Sequence, residues 1–81
     1  MKAIINIGLK KGVLDSQGKA AHHTLDTIGF DNIVKDVRIG KQVIMELNCD
    51  NEAEAKEQAT KMCEQLLANT VIEDYEIIIE A

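Results

Sequence analysis

The chain has 81 residues, two cysteines and a formal net charge of −5, and 46% of its residues are hydrophobic. This length allows one small domain with a thin core, because a domain of this size hides only about 60% of its unfolded surface from water. The acidic balance disfavours nucleic acid and anionic membranes as partners, since both attract chains that carry a basic cluster.

The sequence composition also predicts the cellular location of the protein and the state of its thiols. No apolar run approaches the roughly 18 residues of a membrane span, and the N-terminus lacks the pattern of a secretory signal. We therefore expect a cytoplasmic protein in which Cys49 and Cys63 stay as buried thiols. Because no Cys-x-x-Cys is present, neither a zinc site nor a redox motif is indicated.

The first elements in the chain are a strand and a helix. Residues 2–10 alternate between two faces, which predicts the strand. Asp15 or Ser16 is placed to cap the helix, and Gly29 is placed to end it. Its apolar stripe consists of Ala20, Ala21, Thr24, Leu25 and Ile28.

Two more strands are predicted over residues 33–39 and 43–49, because apolar and polar residues alternate in both. We expect a hairpin turn between them at Gly40 and Lys41. A glycine followed by a polar residue suits the first central position of a type II′ turn, where φ is positive.

A second helix and a last strand complete the chain. Asp50 or Asn51 is placed to cap the helix, Asn69 to end it, and residues 75–80 alternate as a strand. The order β-α-β-β-α-β without a linker predicts an α+β fold, one ferredoxin-like domain over residues 1–81. Its two helices would cover one face of a four-stranded antiparallel sheet of spatial order 4-1-3-2.

The other face of this sheet is predicted to be unusually apolar. Ile4, Ile44 and Ile78 fall there on neighbouring strands, with Val34 nearby. Monomers seldom expose such patches, so we expect contact with a partner there. Scattered surface isoleucines, which need no partner, are the alternative.

Catalytic chemistry is not indicated by any motif. His22 and His23 are adjacent, which does not give the i,i+4 spacing of a helical metal pair. Asp15, Asp36 and Glu46 have no recognisable nucleophile or base beside them in the sequence, and no glycine-rich phosphate loop occurs. We therefore expect no catalytic residue, no metal site and no cofactor bound by this chain alone.

Three stretches together are similar to a known family. They are residues 13–18 (VLDSQG), 36–41 (DVRIGK) and 62–75 (MCEQLLANTVIEDY). The chain resembles the PurS family, the small subunit of phosphoribosylformylglycinamidine synthase in organisms that divide this purine-pathway enzyme among three polypeptides. The resemblance covers essentially the whole chain.

The resemblance implies an assembly subunit of a glutamine- and ATP-dependent ligase. In that complex a glutaminase subunit releases ammonia, and a synthetase subunit uses ATP and Mg to activate formylglycinamide ribonucleotide. The small subunit would associate with itself and bridge the other two, so its contribution would be positional. The comparison suggests these contact residues: Arg38, Gly40, Lys41, Asn69, Glu73, Asp74 and Tyr75. For Gly40 and Asn69, turn geometry and helix termination explain the residue equally well.

One alternative is an ACT-like regulatory domain that binds a small molecule, which has the same topology but usually accompanies a catalytic region. A stand-alone acylphosphatase would need an arginine in a phosphate loop before the first helix, and none lies between Lys11 and Ser16. An RNA-recognition domain would place aromatic residues on the open face of the sheet, where this sequence has aliphatic ones.

Overall fold

A computed structural model describes all residues, 1–81, as three strands and two helices. Each helix continues into a wider five-residue turn. The elements in chain order are β1 (Lys2–Leu9), α1 (Ser16–Leu25), β2 (Gly40–Glu46), α2 (Glu52–Met62) and β3 (Glu73–Glu80). The predicted α+β class is therefore confirmed.

The sheet is antiparallel and has β1 at its centre, in the order β2-β1-β3. Ala3, Ile5 and Ile7 of β1 are buried on the helix-covered side, and the residues between them are not. This alternation follows from the two-residue period of a strand. The arrangement is the predicted 4-1-3-2 sheet without its second strand.

The prediction of a strand over residues 33–39 is wrong. This segment forms no ladder and runs instead beside α1. The Ile39 amide donates to Asp15 Oδ2 at 2.7 Å, and Arg38 donates to the carbonyl oxygens of Lys10 at 3.1 Å and Val13 at 3.2 Å. Hydrogen bonds that involve side chains thus fix this segment in place of the ladder that a neighbouring strand was expected to form.

The predicted hairpin turn at Gly40 and Lys41 is also absent, because both residues already belong to β2. The φ of Gly40 is not positive, and the residue pairs with Gly8 of β1. A Cβ at Gly40 would lie 2.6 Å from the carbonyl oxygen of Ile7. Glycine is therefore needed here for a close approach between strands and not for a turn.

Both helices begin with a capping side chain of the predicted kind. Asp15 accepts from the Gly18 amide at 2.8 Å, and Asn51 accepts from the Glu54 amide at 2.7 Å. Gly29, in the wide turn after α1, has a φ of 112°. An L-residue with a side chain rarely adopts that angle, so glycine is favoured where the helix terminates.

Only α2 packs on the sheet. It lies over β1 and β3. Ala55 and Ala59 of this helix, and Cys63 directly after it, are fully buried. Small side chains let the helix approach the strands closely, and α1 makes no comparable contact. Cys49, expected to be buried, is only partly buried because it follows the end of β2.

The molecule is consequently flat and long, with extents of 49 × 26 × 14 Å and a radius of gyration of 16.1 Å. A compact domain of this length has a radius of gyration of about 12 Å. None of the helices is both long and apolar enough to cross a membrane.

Candidate interaction site

The three predicted interface isoleucines form one row across the uncovered face of the sheet. Ile4 of β1 pairs with Ile44 of β2 on one side and with Ile78 of β3 on the other. Ile44 is 58% exposed and Ile78 is 42% exposed, whereas Ile4 between them is partly buried. We call this row the isoleucine row.

The next row of the same face is a ladder of polar side chains. The Gln42 amide group donates to Asn6 Oδ1 at 2.9 Å, and the Asn6 amide group donates to Glu76 Oε1 at 3.0 Å. The sequence analysis did not predict this ladder. Once the pairing of the strands is known, it follows that Asn6 lies between Gln42 and Glu76. The ladder fixes three side chains beside the isoleucine row.

Several of the contact candidates meet at the end of the sheet where β3 begins. Glu73 forms an ion pair with Lys41 at 3.8 Å and accepts from the Asn69 amide at 2.7 Å. Asp74 lies 3.9 Å from Lys10 on the opposite face. The candidates from the middle and from the last third of the sequence are therefore brought together here.

Asn69 has a local structural role in this region. Its side-chain oxygen accepts from the Val71 amide at 3.2 Å, and its carbonyl oxygen accepts from the Ile72 and Glu73 amides. These bonds shape the turn into β3. They support the turn interpretation of Asn69 without testing its role in contact.

Arg38 is directed into its own chain. Besides the two carbonyl contacts described above, its guanidinium donates to the carbonyl oxygen of Leu9 at 3.3 Å. The nearby Asp15 carboxylate is buried, and hydrogen bonds from the Gly18 and Ile39 amides lower its pKa below the usual value. Together Arg38 and Asp15 fasten the segment before β2 to the loop before α1.

Tyr75 lies on the helix-covered side of β3. Its hydroxyl donates to Glu64 at 2.6 Å, and this hydrogen bond raises the pKa of Tyr75 to about 12. The phenol therefore stays protonated above the pH of about 10 at which an ordinary tyrosine ionises. Its role in this structure is to tie β3 to the turn that follows α2.

No constellation for catalysis or metal binding is assembled. No three His, Cys, Asp or Glu side chains lie close enough to hold a metal ion. His22 contacts the Val34 carbonyl oxygen at 3.0 Å and lies 3.6 Å from Asp26 on the same helix face. This histidine links α1 to the segment beside it.

A second exposed apolar surface was not foreseen from the sequence. Ile28 and Phe30, on the wide turn after α1, are 62% and 45% exposed, and Ile33, three residues beyond that turn, is 75% exposed. They are exposed because α1 does not pack on the sheet. We call these three residues the α1 surface.

Comparison with known proteins gives a consistent result. Residues 2–81 match the family described as "PurS: Phosphoribosylformylglycinamidine (FGAM) synthase". The PurS subunit of Bacillus subtilis FGAM synthase is 46% identical over 80 residues, which covers 98% of this chain and 92% of that subunit.

Solved structures give the same match. The crystal structure of PurS from Methanocaldococcus jannaschii has a TM-score of 0.88 at 44% identity, over 98% of this chain and 94% of that one. A chain in the structure of PurLQS from Thermotoga maritima has a TM-score of 0.86 at 33% identity, over 95% of this chain and 93% of that one.

Proposed function

This chain belongs to the PurS family of phosphoribosylformylglycinamidine synthase, and we propose that it is the assembly subunit of that enzyme in purine biosynthesis. In this role it associates with itself and bridges a glutaminase subunit and a synthetase subunit. The cytoplasmic location expected from the sequence goes with this proposal. The structure of PurLQS, in which a similar chain occurs, supports the role in assembly.

The proposed contribution to the reaction is positional. Ammonia released from glutamine by one subunit has to reach a substrate amide that another subunit activates with ATP. Holding the two active sites in register raises the effective concentration of ammonia at the second site and limits its loss to water. We propose that ATP and Mg are bound by the other subunits and that this chain alone binds neither.

One observation carries the proposal: the chain exposes far more surface than an independent monomer of its mass. That exposed surface contains no set of side chains arranged for catalysis. Its accessible surface is 5912 Å², whereas a folded monomer of its mass of 9.0 kDa exposes about 4,900 Å². The excess, about 1,000 Å², is comparable to the roughly 800 Å² that one partner buries in a standard interface.

Self-association is supported by the distribution of charge as well. Residues up to Lys41 carry seven basic and four acidic side chains, and the residues after it carry two basic and ten acidic ones. Two copies therefore attract each other where an exposed basic stretch of one meets an exposed acidic stretch of the other.

The test is reconstitution of the enzyme from its separate polypeptides. Without this chain, we expect glutamine-dependent synthesis of formylglycinamidine ribonucleotide to be lost, because ammonia no longer passes between sites. Supplying ammonium salt in place of glutamine is the control, since it bypasses the transfer and reports whether the synthetase itself is active.

The chain alone is expected to hydrolyse neither ATP nor glutamine. Full glutamine-dependent activity in its absence contradicts the proposal. Binding of a small regulatory ligand to the isolated chain, measured by calorimetry, would instead favour an ACT-like regulator.

A further inference from the structure

The outer edge of β2 has no neighbouring strand. The sheet ends there, since β2 pairs only with β1. The predicted sheet of order 4-1-3-2 would have a further strand at this position, formed by residues 33–39, but that segment runs beside α1. A row of main-chain amide and carbonyl groups is therefore left open along β2.

The pairing of β2 with β1 identifies the main-chain groups that point outward. The Leu47 amide donates to the Met1 carbonyl oxygen at 2.7 Å, and the Met1 amino group donates to the Leu47 carbonyl oxygen at 3.2 Å. Bonded and non-bonded pairs alternate along an antiparallel ladder, so the odd-numbered residues of β2 bond to β1. The groups open on the outer edge belong to the even-numbered residues, Gly40, Gln42, Ile44 and Glu46.

β2 lacks the features that protect an edge strand from pairing. Edge strands are usually shielded by charges, by proline, by a bulge or by a covering element. The stretch from Gln42 to Met45 contains no charge and no proline, and no helix lies over β2. Val43 and Met45, on the side that faces the helix layer, are only partly buried. A strand of this kind favours pairing with another strand.

The other edge of the sheet, along β3, is protected against pairing with a copy of itself. The Lys10 amide donates to the Ile72 carbonyl oxygen at 2.7 Å, so the odd-numbered residues of β3 point outward. About a two-fold axis, the three central registers place Glu76 against Glu76, Asp74 against Glu76 or Asp74 against Glu80. Like charges directly opposite each other destabilise a strand pair. β2 is therefore the edge at which two copies can join.

We propose that two copies of this chain join through β2, each strand pairing antiparallel with the other about a two-fold axis. The inference rests on the proposed function, in which the chain associates with itself. The β2 strand of the second copy takes the position that the predicted second strand would have had. The two three-stranded sheets then form one continuous sheet with β3 at both outer edges.

The register of this pairing follows from the open main-chain groups. A two-fold axis at Val43 sets Gly40 opposite Glu46 and Gln42 opposite Ile44, each pair occurring twice. All four residues have outward groups, so every open group of β2 is bonded. An axis at Gln42 or at Ile44 leaves a residue at one end of the strand without a partner.

The side chains of β2 are complementary to themselves in this register. Val43 lies opposite the Val43 of the second copy, and Met45 lies opposite Lys41. On the uncovered face Glu46 lies opposite Gly40, which leaves room for its longer side chain. No like charges are opposed, and the contact closes after two copies, whereas pairing of β2 with β3 would continue without limit. This self-complementarity selects a second copy as the occupant of the edge.

The experiment removes one outward amide and leaves the ladder between β1 and β2 intact. In Gln42→Pro the amide that bonds to the second copy is lost, and proline is tolerated where the N–H of an edge strand points away from the sheet. We expect association, measured by sedimentation, to be at least about tenfold weaker, because each copy loses one hydrogen bond.

Gln42→Thr is the matched control, since it loses the same side-chain bond to Asn6 but keeps the amide. It is expected to associate as the unmodified chain does. Ile44→Asp also keeps the main-chain groups, so it should leave this pairing in place. The α1 surface takes no part in the strand pairing and is a separate contact.

Amide hydrogen exchange of the unmodified chain gives a second measurement, which does not depend on the folding of a variant. The outward amides of Gln42 and Ile44 should exchange slowly in the associated protein and faster on dilution. The outward amides of Tyr75 and Ile77 on β3 are the reference and should exchange fast at every concentration.

The contrary outcomes are distinct. If Gln42→Pro associates as well as Gln42→Thr, or the Gln42 and Ile44 amides exchange freely in the associated protein, this inference is overturned and the proposed function stands. If these amides become protected only when the synthetase or the glutaminase subunit is added, the edge receives a strand of a different protein and the inference is again overturned. If the unmodified chain neither self-associates nor binds either subunit, the proposed function itself fails.

Discussion

Asp15 connects two parts of the chain that are far apart in sequence. One carboxylate oxygen caps α1 through the Gly18 amide, and the other accepts from the Ile39 amide just before β2. The cap was predictable, because an aspartate directly before a helical pattern is a local signal. The bond to Ile39 was not, since it joins residues 24 positions apart.

The ionised form of Asp15 is expected to stabilise the fold. Hydrogen bonds lower its pKa in the folded chain, so its contribution is fully present above the unfolded pKa of about 3.9 and is lost as the pH falls through the lower folded pKa. In Asp15→Asn we expect the loss of stability below about pH 4 to be smaller than in the unmodified chain. Urea unfolding between about pH 6 and about pH 3 measures the difference.

Asp36→Asn is the control for this experiment, because Asp36 is exposed and accepts no hydrogen bond from the chain. It should follow the pH dependence of the unmodified protein. An Asp15→Asn curve parallel to the unmodified one over the whole range contradicts the assigned role.

At the level of elements, local patterns located every helix and strand that forms, together with both helix starts. The incorrect prediction was the strand over residues 33–39. It was made because Ile33, Val37 and Ile39 alternate with polar residues in the way that is typical of a strand. The segment lies beside α1 instead, with Val34 and Val37 partly buried. Alternation indicates which side chains become buried. It does not indicate whether a strand or a helix buries them.

The candidate site was predictable to a similar extent. The two-residue period placed Ile4, Ile44 and Ile78 on one face, and the structure aligns them in one row. Their function in contact stays a prediction. The pairing of Lys41 with Glu73 depends on the order of strands in space, which alternation does not encode.

Gly18 gives a prediction for the contact between α1 and the segment beside it. Gly→Ala inside a helix usually stabilises by about 1 kcal/mol. Here an added Cβ collides with the Val37 carbonyl oxygen and comes within 2.9 Å of Asp15 Oδ2. We therefore expect Gly18→Ala to lower the free energy of unfolding, measured with urea, despite the gain in helix propensity.

Gly8→Ala is the comparison, since its methyl group meets nothing within 4 Å. It should be neutral or stabilising, because alanine restricts the unfolded chain without strain in the folded one. A stabilised Gly18→Ala would mean that α1 and residues 34–37 do not stay in contact in solution.

At the scale of the whole molecule, the missing strand and the detached α1 have one consequence. α2 covers β1 and β3, and no helix lies over β2. The side of β2 that faces the helix layer and the whole α1 surface are therefore not covered by another element. The excess of exposed area arises from the same arrangement. We expect a second copy of the chain to cover the α1 surface and so to bury part of that area.

We expect the double variant Ile28→Asp and Ile33→Asp to convert the associated protein to a smaller species in sedimentation. Burying one isoleucine contributes about 1.5–3 kcal/mol, so replacing two with charges should weaken association by at least about 100-fold. Ile44→Asp, on the uncovered face of the sheet, is the matched control and should leave self-association intact. If Ile44→Asp dissociates the copies while the double variant does not, the two surfaces have exchanged roles. Self-association would then use the isoleucine row.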